Sequence, residues 1–483
     1  MSETVTQWID KNKDKFTQLS DQIWALAELG LFEEKSATLL TGLFEEAGFS
    51  VQRGVGHLTT ALVASYGDGR PIIGVLAEYD ALPGLSQQPT PVKEPVKEGG
   101  AGHGCGHNLF AAGSAATCLA TQQLLVSEPD LGGTIRFYGC PAEENFSTKG
   151  LMAREGVFDD LDACLAWHPE KTNTAWFPET NAMFDVVFRF HGRTAHAAGN
   201  PEQGRSALDA VELTNVGTNY LREHVPRDVR LHYTITNGGT APNIVPDLAE
   251  VWYYVRAPNL PEARAVYDRV VKVAQGAALM TETELEVVLL GGVANYVPNT
   301  TLTNLLQRKL EELPPPNFTK EEEDFGRTIQ QTFDEHFFEA ELATHDDQAT
   351  KEFYRKHFKG KVFATKVLPP TGQGKVIHGS TDVGDVSWVT PTGQITTSCV
   401  ALGTPGHTWQ WTAQVGTSIG HQGMLYAGKV MALAVEELLR NPALVQEVRT
   451  EFRTWQADNP YVSPLPDGLQ PPLGYFRKVY GLG

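Results

Sequence analysis

The chain has 483 residues, more than one core ordinarily fills, so two or three domains are expected, with a discontinuous arrangement open. Its 39 lysines and arginines against 58 aspartates and glutamates leave a formal charge of −19, which argues against nucleic acid or an anionic membrane as main partner and for a small substrate. The opening MSETVTQWIDKNKDKF has no apolar h-region and no later run reaches the ~20 apolar residues that span a bilayer, so the expected location is the cytoplasm. The five cysteines, an odd number, are then reduced thiols rather than a disulfide framework.

Residues 3–47 read as helix, with apolar positions at helical spacing through FTQLSDQIWALAELG and SATLLTGLFEEAGF, closed by Gly48. TTALVASYG and PIIGVLAEYD are short apolar runs bounded by Gly and Pro, as in strands buried on both faces. The second ends in Glu78, Tyr79 and Asp80, at the strand end where open α/β sheets place ligand-binding residues. Asp80 is there a site candidate or simply the start of a Pro83–Gly84 turn.

The stretch Gly100–Asn108, GAGHGCGHN, sets Cys105 and His107 two residues apart in a glycine-rich loop, so both side chains can face one centre. Asn108 stands where an N-cap belongs before LFAAGSAATCLATQQLL, which would pin the loop to a packed helix. Alone, the pair reads as an inert thiol and a surface imidazole, and its neighbours are what point to a metal. The strand GGTIRFYGCPAEEN then runs into Glu143 and Glu144, and neighbouring carboxylates reach one site only if the backbone turns between Pro141 and Asn145. LDACLAWHP ends in His168. Three strands delivering metal-type residues at the same end is a pattern that surface accidents rarely produce. Cys118, Cys140, Cys164 and Cys399 read as plain core residues.

From Ala182 the alternation of FDVVFRFHG suggests a half-exposed antiparallel strand, followed by an amphipathic helix, two strands, a second helix and the strand ETELEVVLL. This β-α-β-β-α-β order is that of a ferredoxin-like unit. The expected division is residues 1–181 and 294–483 for a catalytic α/β domain, with 182–293 inserted as the smaller α+β domain. His196, Asn243 and Arg256 fall near its loops or strand ends, where each alone reads as a solvent His, a turn-forming Asn and a surface Arg. Residues 313–375, rich in charge, read as an outer elaboration. STDVGDVSW and TTSCVALGTPGHTWQW read as buried strands, the latter bringing His407, with His421 in SIGHQG as the weaker alternative. MLYAGKVMALAVEELLR is expected as the last packed helix, and 459–473 as a wrapped proline-rich tail.

Cys105, His107, Glu144, His168 and His407 exceed what one tetrahedral catalytic metal needs, which points to two divalent ions sharing a ligand, zinc or manganese. Glu143, beside Glu144 yet free, is placed as the general base, and the chemistry such a set performs is amide cleavage. No GxSxG, HExxH or Walker pattern competes, and a Cys105–His107 nucleophile pair is poorly shaped for proton transfer.

AEYDALPG, GHGCGHN, YGCPAEE, AWHPE, GRTAHAA, PNIVPD, STDVGDVSW and GTPGHTWQ together resemble the aminoacylase/carboxypeptidase family of metal-dependent amidohydrolases, in the cysteine-ligand branch with hippurate and auxin-conjugate hydrolases. The resemblance implies a three-layer metallopeptidase-like domain carrying a lid that pairs two subunits. It implies metal ligands at Cys105, His107, Glu144, His168 and His407, Glu143 as base, and Asp80 orienting the metal shell. It further implies that His196 reaches a partner's site to stabilise the oxyanion, and that Asn243 and Arg256 grip the substrate's carbonyl or carboxylate. The implied reaction is hydrolysis of p-aminobenzoyl-glutamate to p-aminobenzoate and glutamate, the alternatives being a broader N-acyl-amino-acid or dipeptide hydrolase, for instance of indole-acetyl-aspartate, and a non-catalytic partner subunit. The implied assembly is a homodimer through the lid or a hetero-oligomer with a related A subunit. Glu78 departs from the usual ADMDALP form, and Asn108 stands where an Asp commonly follows the ligand histidine.

Overall fold

The computed structural model describes residues 4–345 and 347–482. Its strands are β1 (Ser50–Arg53), β2 (Leu62–Asp68), β3 (Ile72–Ala77), β4 (Gly133–Gly139), β5 (Ala163–Glu170), β6 (Thr174–Ala175), β7 (Ala182–His191), β8 (Arg230–Asn237), β9 (Leu248–Ala257), β10 (Glu284–Val293) and β11 (Thr392–Ser398). Among the described residues they make two sheets, a larger one in the order β1-β2-β4-β3-β5-β11-β6 and a smaller one in the order β10-β7-β9-β8. In the larger sheet β4, β3, β5 and β11 run parallel, with antiparallel strands at both edges. Parallel neighbours put all their carboxyl ends on one rim, which is why Glu78, Asp80, Glu143 and His168 arrive together.

The helix His107–Ser127 lies across β3, β4 and β5 and against the helices Lys13–Leu26 and Ser418–Arg440. Contrary to expectation, it is long and apolar enough to span a bilayer; its apolar window is 83% buried because the sheet covers one side and helices the other. Asn108 is not its N-cap. Gly106, at φ 81°, ends the loop and the helix begins at His107. Asn108 instead turns inward, and its Nδ2 donates to Ser20 Oγ at 2.9 Å and to Val415 O at 3.0 Å, tying three elements together.

The N-terminal region is helical as expected, but as Val5–Lys11, Lys13–Leu26 and Glu34–Glu46 rather than one run. STDVGDVSW is not a strand: Val383–Val389 is helical, because Val383 and Val386 are buried at helical spacing. Gly384 there sits so close to the backbone that a Cβ would lie 2.0 Å from Ala294 O. Ser418–Arg440 is not the last packed helix, since Pro442–Asp458 follows it. Residues 313–375 carry the helices Lys320–Gln330, Phe337–Thr344 and Gln348–His357, with small clusters of their own such as Leu342, Tyr354 and Phe358 against Leu402.

In the smaller sheet every pairing is antiparallel, and the helices Ala207–Leu221 and Leu260–Thr281 pack on it, giving the expected ferredoxin-like arrangement. β7 is buried rather than half-exposed, since it is flanked by β10 and β9: Phe184, Val186, Phe188 and Phe190 join the core beneath the helices, while Asp185 on the other face is bonded by Trp252 Nε1.

Candidate metal centre and active site

Asp80, at the end of β3, is fully buried and bonds in two directions. Its Oδ1 lies 2.8 Å from His107 Nδ1, and its Oδ2 accepts the Glu144 N–H at 2.9 Å. A carboxylate only accepts, so His107 Nδ1 carries the proton and Nε2 faces the site. His168 is set in the same way: its Nδ1 lies 2.8 Å from Pro169 O, leaving Nε2 free at 3.4 Å from Cys105 Sγ. His407 enters from the loop after β11, its Nε2 3.5 Å from Glu144 Oε2.

The required turn is present. Ala142, at φ 56°, reverses the chain after β4, and its carbonyl accepts the N–H groups of Phe146 and Ser147. Glu143 and Glu144 thereby both reach the rim. Ligand atoms of Cys105, His107 and His168 lie within 4.8 Å of one another, as do those of Cys105, Glu144 and His407, and those of Glu78, His107 and Glu143. The first two sets contain all five expected ligands and share Cys105. His421 belongs to neither: its Nε2 lies 2.9 Å from Asp21 Oδ1.

The electrostatics match this crowding. Burial, then the Glu78 and Glu144 charges, hold the Glu143 carboxyl well above its usual range. Burial pushes Glu144 up to about 7 despite the opposing pull of His107. Burial works against charging His107, but Glu78 and Asp80 override it and raise its pKa well above normal. Burial and Glu144 keep the Cys105 thiol high, and a neighbouring cation is what would draw out the thiolate. Glu144 Oε1 is buried without a hydrogen-bond partner, and His107 Nε2 has the Glu78 Oε2 carboxylate oxygen 3.0 Å away. An orphaned oxygen among thiol, imidazole and carboxylate donors fits a divalent cation.

A cavity of about 340 Å³ opens beside Glu143, Glu144 and His407, with Arg256 and Asp185 also in its wall. The Arg256 guanidinium lies 5.5 Å over the Tyr254 ring and its Nε is buried without a partner. His196 and Asn243 do not line this cavity. They stand on an exposed part of the smaller unit, joined by the Ala197 N–H to Asn243 O bond of 3.0 Å. The residue patterns do not point to Lys149, whose Nζ donates at 2.5 Å to both Glu78 Oε1 and Asp382 Oδ1, all three buried. A lysine inside the apolar run KGLMA was its only signal.

The chain belongs to peptidase family M20/M25/M40, whose model matches residues 74–354. This makes it an enzyme of the amidohydrolase and peptidase class. It is 43% identical to the B subunit of p-aminobenzoyl-glutamate hydrolase from Escherichia coli (strain K12), over 96% of this chain and 97% of that one. It is 28% identical to Xaa-Arg dipeptidase of Mus musculus, over 92% and 90% of the two chains. Its fold is shared with the aminobenzoyl-glutamate utilization protein of Klebsiella pneumoniae, at a TM-score of 0.56 and 18% identity, covering 89% of this chain and 96% of that one.

Proposed function

We propose that the protein hydrolyses the amide bond of p-aminobenzoyl-glutamate, releasing p-aminobenzoate and glutamate. The observation that carries this is the cavity in which Glu143, Glu144 and His407 face Arg256, in a chain so similar to a hydrolase named for that substrate. Cys105, His107, Glu144, His168 and His407 would hold two divalent ions, zinc or manganese, Cys105 being common to both sets. Bound there, such ions supply a polarised carbonyl and a water with a pKa of roughly 7. Glu143 takes the water's proton as the oxygen bonds the carbonyl carbon, and returns it to the glutamate nitrogen as the C–N bond breaks. Arg256 pairs with a substrate carboxylate, while Asp80 keeps His107 Nε2 and the Glu144 backbone in place.

His196 and Asn243 stand outside the cavity, which suits delivery to a neighbouring subunit's site for the oxyanion and the carbonyl. The proposed arrangement has residues 1–181 and 294–483 as the catalytic domain and 182–293 as a lid that pairs two copies, or pairs this chain with a related A subunit. The setting proposed is the cytoplasm, which suits five free thiols.

A dipeptidase is the second reading. It rests on the likeness, over 92% of this chain, to a relative named Xaa-Arg dipeptidase. The test is turnover by metal-stripped protein reloaded with zinc or manganese, on p-aminobenzoyl-glutamate, indole-acetyl-aspartate and an Xaa-Arg dipeptide. Metal-dependent release of p-aminobenzoate as the fastest reaction supports the first reading; its absence beside rapid release from another conjugate rejects it.

A further inference from the structure

We infer that Glu33, far from the metal-type residues in sequence, is a positioning residue that fixes the turn presenting Glu143 and Glu144. The inference rests on the reading of those two carboxylates as base and ligand. Ala142 adopts φ 56°, a left-handed conformation that residues with a Cβ rarely take, so its backbone must be held from outside. Glu33 Oε1 accepts the Ala142 N–H at 2.7 Å, and Glu33 Oε2 accepts the Thr60 hydroxyl at 3.1 Å. The Thr60 carbonyl in turn accepts the Tyr79 hydroxyl at 2.6 Å, which ties the brace to the strand end carrying Asp80.

The amide on the other side of Glu143 is held in the same manner, since Asp80 Oδ2 accepts the Glu144 N–H at 2.9 Å. Glu143 is thus bracketed by two buried carboxyl groups, one from the strand end and one from the segment preceding the helix Glu34–Glu46. Glu33 itself is fully buried, and both its oxygens are occupied by these bonds. Glutamine keeps an oxygen to accept the Ala142 N–H and sets its NH2 group against the Thr60 hydroxyl, which can accept as well as donate. Gly30, in the same segment, leaves room under the turn: a Cβ there would lie 2.5 Å from Asn145 Oδ1 and 3.0 Å from Ala142 Cα.

The experiment compares Glu33→Ala and Glu33→Gln with the parent by kcat and KM on the best substrate of the parent, and by zinc affinity in chelator competition. Glu33→Ala is expected to lower kcat about 10- to 100-fold with KM little changed, and to weaken zinc binding by a similar factor, as loss of a group that orients ligands does. Glu33→Gln, which keeps the oxygen facing Ala142, is expected to restore both to within about threefold of the parent. Parent-like kcat and zinc affinity in Glu33→Ala, or a glutamine variant as impaired as the alanine one, overturns the inference. Should Glu33→Ala fail to fold, Thr60→Val carries the test: about a threefold or larger fall in kcat or zinc affinity is expected from loss of that hydrogen bond, and no change in either overturns it. If the parent cleaves none of the substrates tried, the functional reading has failed while zinc affinity still decides the role of Glu33.

Discussion

Asp80 and His107 meet at 2.8 Å, both inside the protein, and the orientation of the imidazole follows from that one contact. Burial opposes the Asp80 charge, but His107 draws its carboxyl below the usual range, so it is ionised at neutral pH. Asp80→Asn leaves one oxygen to serve both the His107 ring and the Glu144 amide, and sets an NH2 group against one of them. Zinc affinity should fall about 10- to 100-fold, read by chelator competition. An unchanged affinity would show that Asp80 only fills space.

Glu143 shares its cavity with Glu144 yet belongs to neither Cys105-centred group. Glu143→Gln should therefore lower kcat by about 10²- to 10⁴-fold while metal content and KM stay near those of the parent. Steady-state kinetics together with metal analysis checks this. A glutamine variant as active as the parent would remove Glu143 from the mechanism, and a parent that is itself inactive with its metals loaded would favour a non-catalytic subunit.

Lys149 is enclosed with Glu78 and Asp382, and although burial opposes its charge, those two carboxylates raise its pKa well above normal. Replacing it with methionine strands two acids in the interior. Lys149→Met should cost about 3–5 kcal/mol in urea unfolding, the range for breaking one side of a buried ion pair. A change within ~0.5 kcal/mol, ordinary for a surface position, would mean that water reaches this group.

Burial pushes Asp185 up to about 8 against the opposing Trp252 bond and Arg256 charge. The folded state then keeps a proton that the unfolded chain releases near pH 4. The resulting stability is complete below that pH and is lost as pH rises through about 8. Asp185→Asn should flatten this slope, so that between pH 6 and 9 the variant gains on the order of 2–3 kcal/mol relative to the parent. Thermal unfolding between pH 6 and 9 measures it, and parallel pH profiles for the two proteins would refute the shift.

His421 bonds Asp21 on the outside of the helix Ser418–Arg440, whereas His407 faces Glu144. His421→Ala should leave zinc affinity unchanged, and His407→Ala should weaken it at least tenfold, roughly the smallest loss expected from a ligating group. Equal effects of the two substitutions in equilibrium dialysis would contradict this assignment.

Much of this arrangement is legible before any coordinates, and the reason is local. The two-residue spacing of Cys105 and His107, the acidic ends of β3 and β4, and the histidine in β5 are short-range patterns, and parallel strands carry their ends to one rim. The β-α-β-β-α-β order from β7 to β10 likewise constrains the smaller sheet through connection rules alone. Short apolar runs were harder: Val383–Val389 reads as a strand because seven residues do not separate a period of two from one of 3.6.

What tertiary structure alone decided is which groups share a hydrogen bond or a charge across long stretches of chain. Glu33 and Ala142 are 109 residues apart, and Lys149 and Asp382 are separated by 233. No composition or periodicity encodes such pairs, because each depends on burial that removes water and leaves a polar atom one partner only. The amino-acid order by itself determined which donors could gather at a metal and which strand ends would bring them. The packed interior determined how they are aimed: His107 by Asp80, and the Glu143–Glu144 turn by Asp80 and Glu33.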